Sequence, residues 1–244
     1  MTSERIAVIS DIHGNLTALE AVIADLRRQS PDLVFHLGDL AANGYRPAEA
    51  LDRIRELGWD GVLGNTDEML WRPDLLSDVA GRAPGRSALR RVLFEEIAPR
   101  TAELIGPGRL AWLKNLPTNR RVANISLIHA TAADLWHAPS AQAADEEIHA
   151  AFDSLGTPIV VYGHIHHAYI RAVGQRTVAN TGAVGISYDG DPRASYILVD
   201  EGKLQVRRVE YDVEEEVRGL LSSGYPRADW LAKMIRTGRY IPPD

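Results

Sequence analysis

A layered α/β fold is what the sequence predicts. Short apolar runs without polar alternation alternate with stretches whose apolar residues fall at helical spacing, and no linker-like break in composition divides the 244 residues. Ile6 to Ser10 is the first such run, as expected of a strand buried on both faces. After the loop Asp11-Ile12-His13-Gly14, the stripe Leu16, Leu19, Ile23 and Leu26 predicts a helix, with Asn15 or the Thr17-x-x-Glu20 pair as its cap. Leu33 to Leu37 reads as a strand, Pro47 to Leu57 as a helix, and Gly61-Val62-Leu63 as the end of a third strand.

From about 68 to 116 the pattern changes to helical spacing broken by Pro and Gly, including Leu89, Val92, Leu93 and Ile97, which predicts a helical insertion over the core. Strands follow at Val122 to Ile128, Ile159 to Tyr162, Thr177 to Asn180, Ser195 to Val199 and Leu204 to Val209, with one helix near Asp145 to Leu155. The tail, about 213–237, reads as terminal helices. One domain spanning 1–244 is the simplest organisation.

Net charge is −6, and Lys and Arg are scattered, so no broad footprint for duplex nucleic acid or an anionic membrane is expected. A small phosphorylated substrate stays open as a partner, because a metal centre can supply positive charge locally; oligomeric state is not readable. Cysteine is absent, which excludes disulfides, thiolate zinc sites and cysteine nucleophiles. The N-terminal Met1-Thr2-Ser3-Glu4-Arg5 does not read as a signal peptide, and no apolar stretch approaches the roughly 20 residues of a membrane span, so the cytoplasm is the expected compartment.

The informative feature is where Asp, Asn and His fall. Asp11 and His13 follow the first strand, Asp39 the second and Asn65 the third; His129 ends a later strand, and His164 and His166 follow another. Ligands of open α/β sheets gather beyond the carboxyl ends of strands, so five strand ends bring seven oxygen or nitrogen donors to one rim. Imidazole suits Zn, Fe, Ni or Mn, and carboxylate and amide oxygens suit Mn or Mg. A carboxylate can bridge two cations, a role open to Asp39. Two ions about 3.5–4 Å apart can clamp the attacking and leaving oxygens of phosphoryl transfer and activate water. Gly38, Gly64 and Gly163 precede three of these residues and allow close backbone approach.

The ordered series Asp11-x-His13, Gly38-Asp39, Gly64-Asn65-x-Asp67, His129 and Gly163-His164-x-His166 resembles the calcineurin-like metallophosphoesterases, above all their small bacterial and archaeal members. Asn180-Thr181-Gly182-Ala183-Val184-Gly185 and Asp191-Pro192-Arg193-Ala194-Ser195-Tyr196 extend the likeness over almost the whole chain. The resemblance implies a four-layer sandwich of two mixed β-sheets flanked by helices. It implies that Asp11, His13 and His166 bind one metal, that Asn65, His129 and His164 bind a second, and that Asp39 bridges them. A bridging hydroxide would attack phosphorus, with Asp39, Asn65 and His129 as the catalytic set. The implied activity is phosphodiesterase or phosphatase, with nucleotide-type substrates among the candidates. The implied cofactors are two divalent ions, manganese first and Fe, Zn, Ni or Mg as alternatives. The competing expectation is a catalytically silent scaffold of the same fold, which missing ligands would mark; all seven are present.

Thr66 stands where many relatives carry a His that protonates the leaving group, and a threonine hydroxyl has no pKa suited to that task. The expectation is a preference for stabilised leaving groups. Asn43, Tyr45, Arg46 and Asp67 are weaker candidates for substrate contact, since a polar connection and a helix cap explain them equally well. Neighbouring His167 is expected to face away from the pair His164 and His166, whose alternation on an extended segment puts both on one side. His36 is expected to be structural, His137 and His149 exposed, and Trp71, Trp112, Trp136 and Trp230 packing anchors.

Overall fold

Two five-stranded mixed sheets pack face to face in the computed structural model, which describes residues 4–82 and 84–243. Met1 to Ser3, part of the N-terminal segment read above, and Ala83 and Asp244 of the expected domain lie outside the described residues. The first sheet runs β10-β9-β1-β2-β3, from β1 (Ile6–Ile9), β2 (Leu33–His36), β3 (Asp60–Gly61), β9 (Ala194–Asp200) and β10 (Lys203–Val209). The second runs β4-β5-β6-β8-β7, from β4 (Asn119–Val122), β5 (Ile125–Ile128), β6 (Ile159–Tyr162), β7 (Tyr169–Val173) and β8 (Arg176–Asn180). β1, β2 and β3 are mutually parallel, and so are β5, β6 and β8, so each sheet gathers three carboxyl ends at one edge.

The unalternated apolar runs have a direct cause in the layering. Ile6 and Val8 of β1 point into the core between the sheets, where they meet Ile159 and Val161 of β6. Ala7 and Ile9 point outward beneath α1 (Leu16–Gln29), α2 (Pro47–Glu56), α8 (Val213–Ser222) and α9 (Ala228–Thr237). Val160 and Tyr162 of β6 point the other way, onto Ile148 and Phe152 of α7 (Asp145–Phe152). Both faces of these strands are covered, and burial at about 25 cal/mol per Å² rewards an apolar residue at every position. Asn15 caps α1, its Oδ1 accepting from Ala18 N at 2.9 Å.

Two local expectations are corrected, and one strand is added. The run Val122 to Ile128 is two strands, because the chain turns between β4 and β5 with Ala123 in the left-handed region (φ 51°). Strand β7, without a strong apolar signal, lies at the edge of its sheet beside β8. The helix at Asp145 ends at Phe152, and Asp153–Leu155 tightens into a 3₁₀ turn.

The segment after β3 carries α3 (Asn65–Glu68), α4 (Leu76–Arg82), α5 (Ser87–Arg91) and α6 (Ala98–Lys114). Val92–Ile97 joins the last two as a π-helical stretch. Gly106, at φ 70° and ψ 171°, kinks α6 just before Pro107, since the residue preceding proline favours extended ψ. Among the described residues no helix is long and apolar enough to cross a membrane.

Candidate metal centre

Loops leaving β1, β2, β3, β5 and β6 converge, and backbone hydrogen bonds stitch them together beyond the sheets. Asp11 N donates to Gly38 O (3.1 Å), His13 N to Asp39 O (3.0 Å), Gly163 N to His129 O (2.9 Å) and Gly185 N to Asp11 O (2.9 Å). Five of the seven expected ligands have positive φ: Asp11 (54°), His13 (52°), Asp39 (55°), His164 (68°) and His166 (56°). For residues with a Cβ this region is costly, by about 1–3 kcal/mol each, and such strain gathers where the surrounding structure over-determines it, often at functional sites. It also corrects the reason for pairing His164 with His166: the two are not on an extended segment. Gly64 fits beside Asp39 only because it lacks a side chain; a Cβ there would stand 2.1 Å from Asp39 Oδ1 and 2.2 Å from Asp39 N.

The side chains form two adjoining groups. In the first, His166 Nε2 lies 3.2 Å from Asp11 Oδ1 and 3.2 Å from His13 Nε2, and His13 Nε2 lies 3.9 Å from both Asp11 Oδ1 and Asp39 Oδ2. In the second, Asn65 Oδ1 lies 2.8 Å from both His129 Nε2 and His164 Nδ1, which are 3.3 Å apart. Asp39 stands between the groups: Oδ2 faces His13, and Oδ1 lies 3.5 Å from His129 Nε2. Donor atoms of Asp11, His13 and His166 all lie within 4.8 Å of one another, as do those of Asp11, Asp39 and His129. All seven residues are therefore brought together, and all but His164, which is partly exposed, are buried.

Hydrogen bonding decides what these rings present. Nδ1 of His13, His129 and His166 donates to the carbonyls of Ala42 (2.8 Å), Leu37 (2.7 Å) and Ile186 (2.5 Å). In the neutral ring that leaves each Nε2 as a bare lone pair. With the rings neutral, His13 and His166 set lone pair against lone pair, and His129 sets one against the Asn65 carbonyl oxygen; without a cation, a proton on His166 beside Asp11 is what relieves the first of these. Asp11 Oδ1 is buried without a hydrogen-bond partner. Cations held between these atoms would turn each repulsion into a bond, so the donor set fits divalent metal ions.

The supports are equally specific. Asp11 Oδ2 accepts from His164 N (3.0 Å) and from Ser10 Oγ, and Ser10 Oγ lies 2.5 Å from Thr181 Oγ1. Asp39 Oδ1 accepts from Thr66 N (2.8 Å). Burial works to raise the Asp11 carboxyl, but the imidazoles of His166, His129 and His13 outweigh it and hold Asp11 well below the usual carboxylate range. Burial and then His129 push His164 well below the ordinary histidine value. Burial lowers His166, but the Asp11 carboxylate outweighs it and raises the ring.

A cavity of about 770 Å³ opens over the rim. Of the four expected substrate contacts only Asn43 lines it, with Nδ2 3.3 Å from His13 Nδ1. Tyr45, Arg46 and Asp67 do not. Arg46 is held by Glu216 and Thr17, and the Tyr45 ring packs against Gly219. Asp67 is fully buried and accepts from Leu40 N (3.0 Å) and Ala41 N (3.3 Å), so it braces the Asp39 loop. Burial first, then the Asp39 charge, pushes its carboxyl up to about 7. Thr66 lines the cavity with its Oγ1 buried and unpartnered. His167, expected to face away, lines the cavity too. So do Trp136 and Trp230, and Tyr188, whose ring stacks on His166 at 4.3 Å. The three bracing carbonyls had no sequence signal.

The chain is similar to known proteins over nearly its whole length. The chain is 26% identical, over 98% of its length and 100% of the relative's, to uncharacterized protein MJ0912 of Methanocaldococcus jannaschii. A crystal structure of a metallophosphoesterase from Sphaerobacter thermophilus is similar with a TM-score of 0.77 and 26% identity, covering 97% of this chain and 100% of that one. Hypothetical protein PH1004 from Pyrococcus horikoshii OT3 shares the fold at a TM-score of 0.79 and 17% identity, covering 97% and 99%. Residues 5–203 match the family described as the calcineurin-like phosphoesterase superfamily domain, and the chain belongs to that superfamily.

Proposed function

We propose that this protein hydrolyses phosphate esters with two divalent metal ions, manganese first among the candidates. The observation that carries this reading is that His13 Nε2 faces His166 Nε2 in one group and His129 Nε2 faces Asn65 Oδ1 in the other, with the two oxygens of Asp39 turned one to each. Asp11, His13 and His166 would hold one ion, Asn65, His129 and His164 the other, and Asp39 both. When bound, such a pair supplies Lewis-acid activation of the phosphoryl group and a water of lowered pKa.

The chain's own part is positioning. Carbonyls of Ala42, Leu37 and Ile186 fix three ring orientations before any ion arrives, which keeps the reorganisation cost of binding small. Asn43 borders the first group and is the contact we assign to substrate. Thr66 offers a hydroxyl and no acid beside the second group, which supports a preference for esters whose leaving groups need no protonation. The cavity suits a small substrate, and the cytoplasm is the compartment we propose.

The test is elemental analysis together with a manganese-supplemented assay on bis-p-nitrophenyl phosphate and p-nitrophenyl phosphate. The expected result is two ions per chain and turnover. Asp39→Asn is expected to bind no more than one ion and to lose about 10³-fold in rate, comparable to removing a principal electrostatic stabiliser. Turnover that survives Asp39→Asn unchanged, or a protein that takes up no metal, refutes the reading.

A further inference from the structure

The cavity wall opposite in chemistry to the rim contains a buried cation that no carboxylate contacts directly among the described residues. Arg90, on α5, is only 6% exposed. No carboxylate is in salt-bridge contact with it among the described residues, where Asp134 and Asp39 act on it only at longer range, and its Nε is buried without a hydrogen-bond partner. Its guanidinium instead lies 4.8 Å over the Trp136 ring. Trp136 is itself fixed: Nε1 donates to Glu68 Oε2 at 2.9 Å, N donates to Asp134 Oδ1 at 2.7 Å, and Phe94 stacks on it at 5.3 Å. Glu68 closes the short helix that begins at Asn65, so one rigid connection joins the arginine to the rim.

Burying an uncompensated guanidinium is costly, and such groups persist where a partner arrives from outside. Arg90 and Arg86, one turn earlier, both line the cavity shared with Asp39, Asn65 and His164. Like-charged neighbours in one wall deepen the demand for an anion. The charge of Arg90 acts on both Asp39 and His164, so the guanidinium belongs electrostatically to the same site.

Charge matching identifies the anion. Two divalent ions against the carboxylates of Asp11 and Asp39 leave two positive charges, enough for a hydroxide ion and a monoanionic diester. A phosphomonoester is a dianion at mildly alkaline pH and brings one charge more. We propose that Arg90 is a specificity-determining residue that meets this extra charge, making phosphomonoesters the preferred substrates. Its planar fork is suited to two oxygens of one phosphoryl group. The assignment rests on the phosphoesterase reading.

The test uses manganese-loaded full-length protein, with Arg90→Met and Arg90→Lys as variants. Calorimetry at about pH 8 compares inorganic phosphate, chiefly a dianion there, with dimethyl phosphate, a monoanion. The wild type is expected to bind phosphate at least about 10-fold more tightly than dimethyl phosphate, as a charge-assisted hydrogen bond allows. Arg90→Met is expected to lose that margin while holding its manganese and binding dimethyl phosphate within about threefold of wild type. Arg90→Lys, which keeps the charge without the fork, is expected to fall between, and it carries the same test should Arg90→Met lose the fold. In parallel, kcat/KM for p-nitrophenyl phosphate relative to bis-p-nitrophenyl phosphate is expected to drop by about 10-fold or more in Arg90→Met. A ratio unchanged in both variants, or an equal loss for both anions, overturns the role of Arg90 while leaving the hydrolase intact. A wild-type protein that binds no manganese and turns over neither ester overturns both readings.

Discussion

Asp39 and Arg90 line the same cavity and both are buried, but different forces hold them. Asp39 sits in a loop with φ at 55°, its carboxylate accepting from Thr66 N and its own carbonyl from His13 N. These hydrogen bonds are short, polar and made by backbone amides. Arg90 sits on a short α-helix that runs into a π-helical stretch, and a ring, Trp136, holds its charge in place. The rim thus tolerates almost no change in backbone path. The wall is a helical surface whose side chains can be exchanged at modest cost, which suits a region that sets preference among substrates and not the chemistry itself.

Gly64→Ala probes the rim and has the largest expected effect. A methyl group there meets the amide nitrogen and Oδ1 of Asp39 at 2.2 and 2.1 Å, and backbone cannot step aside as a flexible side chain would. Overpacking of this kind costs about 3 kcal/mol, or about 6–12 °C in Tm for a chain of this size. Displacing Asp39 by even an ångström is expected to lower the manganese-dependent rate by about 10²-fold. A Gly64→Ala protein with wild-type melting and turnover would show that the rim is not closed by backbone.

This contrast also explains what could be read in advance. Asp11, His13, Asp39, Asn65, His129, His164 and His166 were legible because strand ends and turn chemistry fix their places, and those leave local marks in residue order. Ile6 to Ile9 and Ile159 to Tyr162 were legible because burial on two faces removes alternation. Arg90 was not. Arg86 and Arg90 stand four apart in the sequence, the same signal that a solvated helix face gives, and only the folded chain shows Trp136 against the Arg90 guanidinium. Asp67 failed for a related reason: its partners are the amides of Leu40 and Ala41, and an amide has no residue type to betray it. The pairing of β4 with β5 left little mark, because Asn119-Arg120-Arg121 is polar and the turn at Ala123-Asn124 contains neither Gly nor Pro.

His36 lies where the rim's own strand meets the insertion, and it sharpens the comparison through pH. Its ring is fully buried on β2, 6.1 Å from the Trp112 ring of α6, and neither nitrogen has a hydrogen-bond partner. Burial lowers its pKa from 6.5 to about 4. Between those values the unfolded chain binds a proton that the native protein refuses. The stabilisation from His36 is therefore complete above about pH 6.5, is lost as pH falls towards 4, and changes no further below. The loss amounts to about 3 kcal/mol. Urea denaturation at successive pH values should show His36→Phe shedding that much less stability than wild type over this window. Parallel acid limbs would mean that the native ring is already charged or reached by water.

Gly106→Ala is the smallest effect and the cleanest contrast with Gly64→Ala, because the two glycines fail for opposite reasons. At Gly64 the backbone is ordinary (φ −103°) and the space is full. At Gly106 the space is open, with nothing within 4 Å of an added Cβ, and the backbone is unusual, at φ 70° and ψ 171°. An alanine there meets only conformational strain, at the lower end of about 1–3 kcal/mol because the open surroundings let the kink relax. Kinked helices also relax more readily than stitched loops, since Pro107 has already removed an amide from the helical ladder. The expected loss in Tm is about 2–8 °C, with metal content and kcat/KM unchanged, because Gly106 does not line the cavity. If Gly106→Ala instead lowered turnover, the kink would be setting the position of the cavity wall, and the insertion would have to be counted with the rim as part of the machinery that fixes the site.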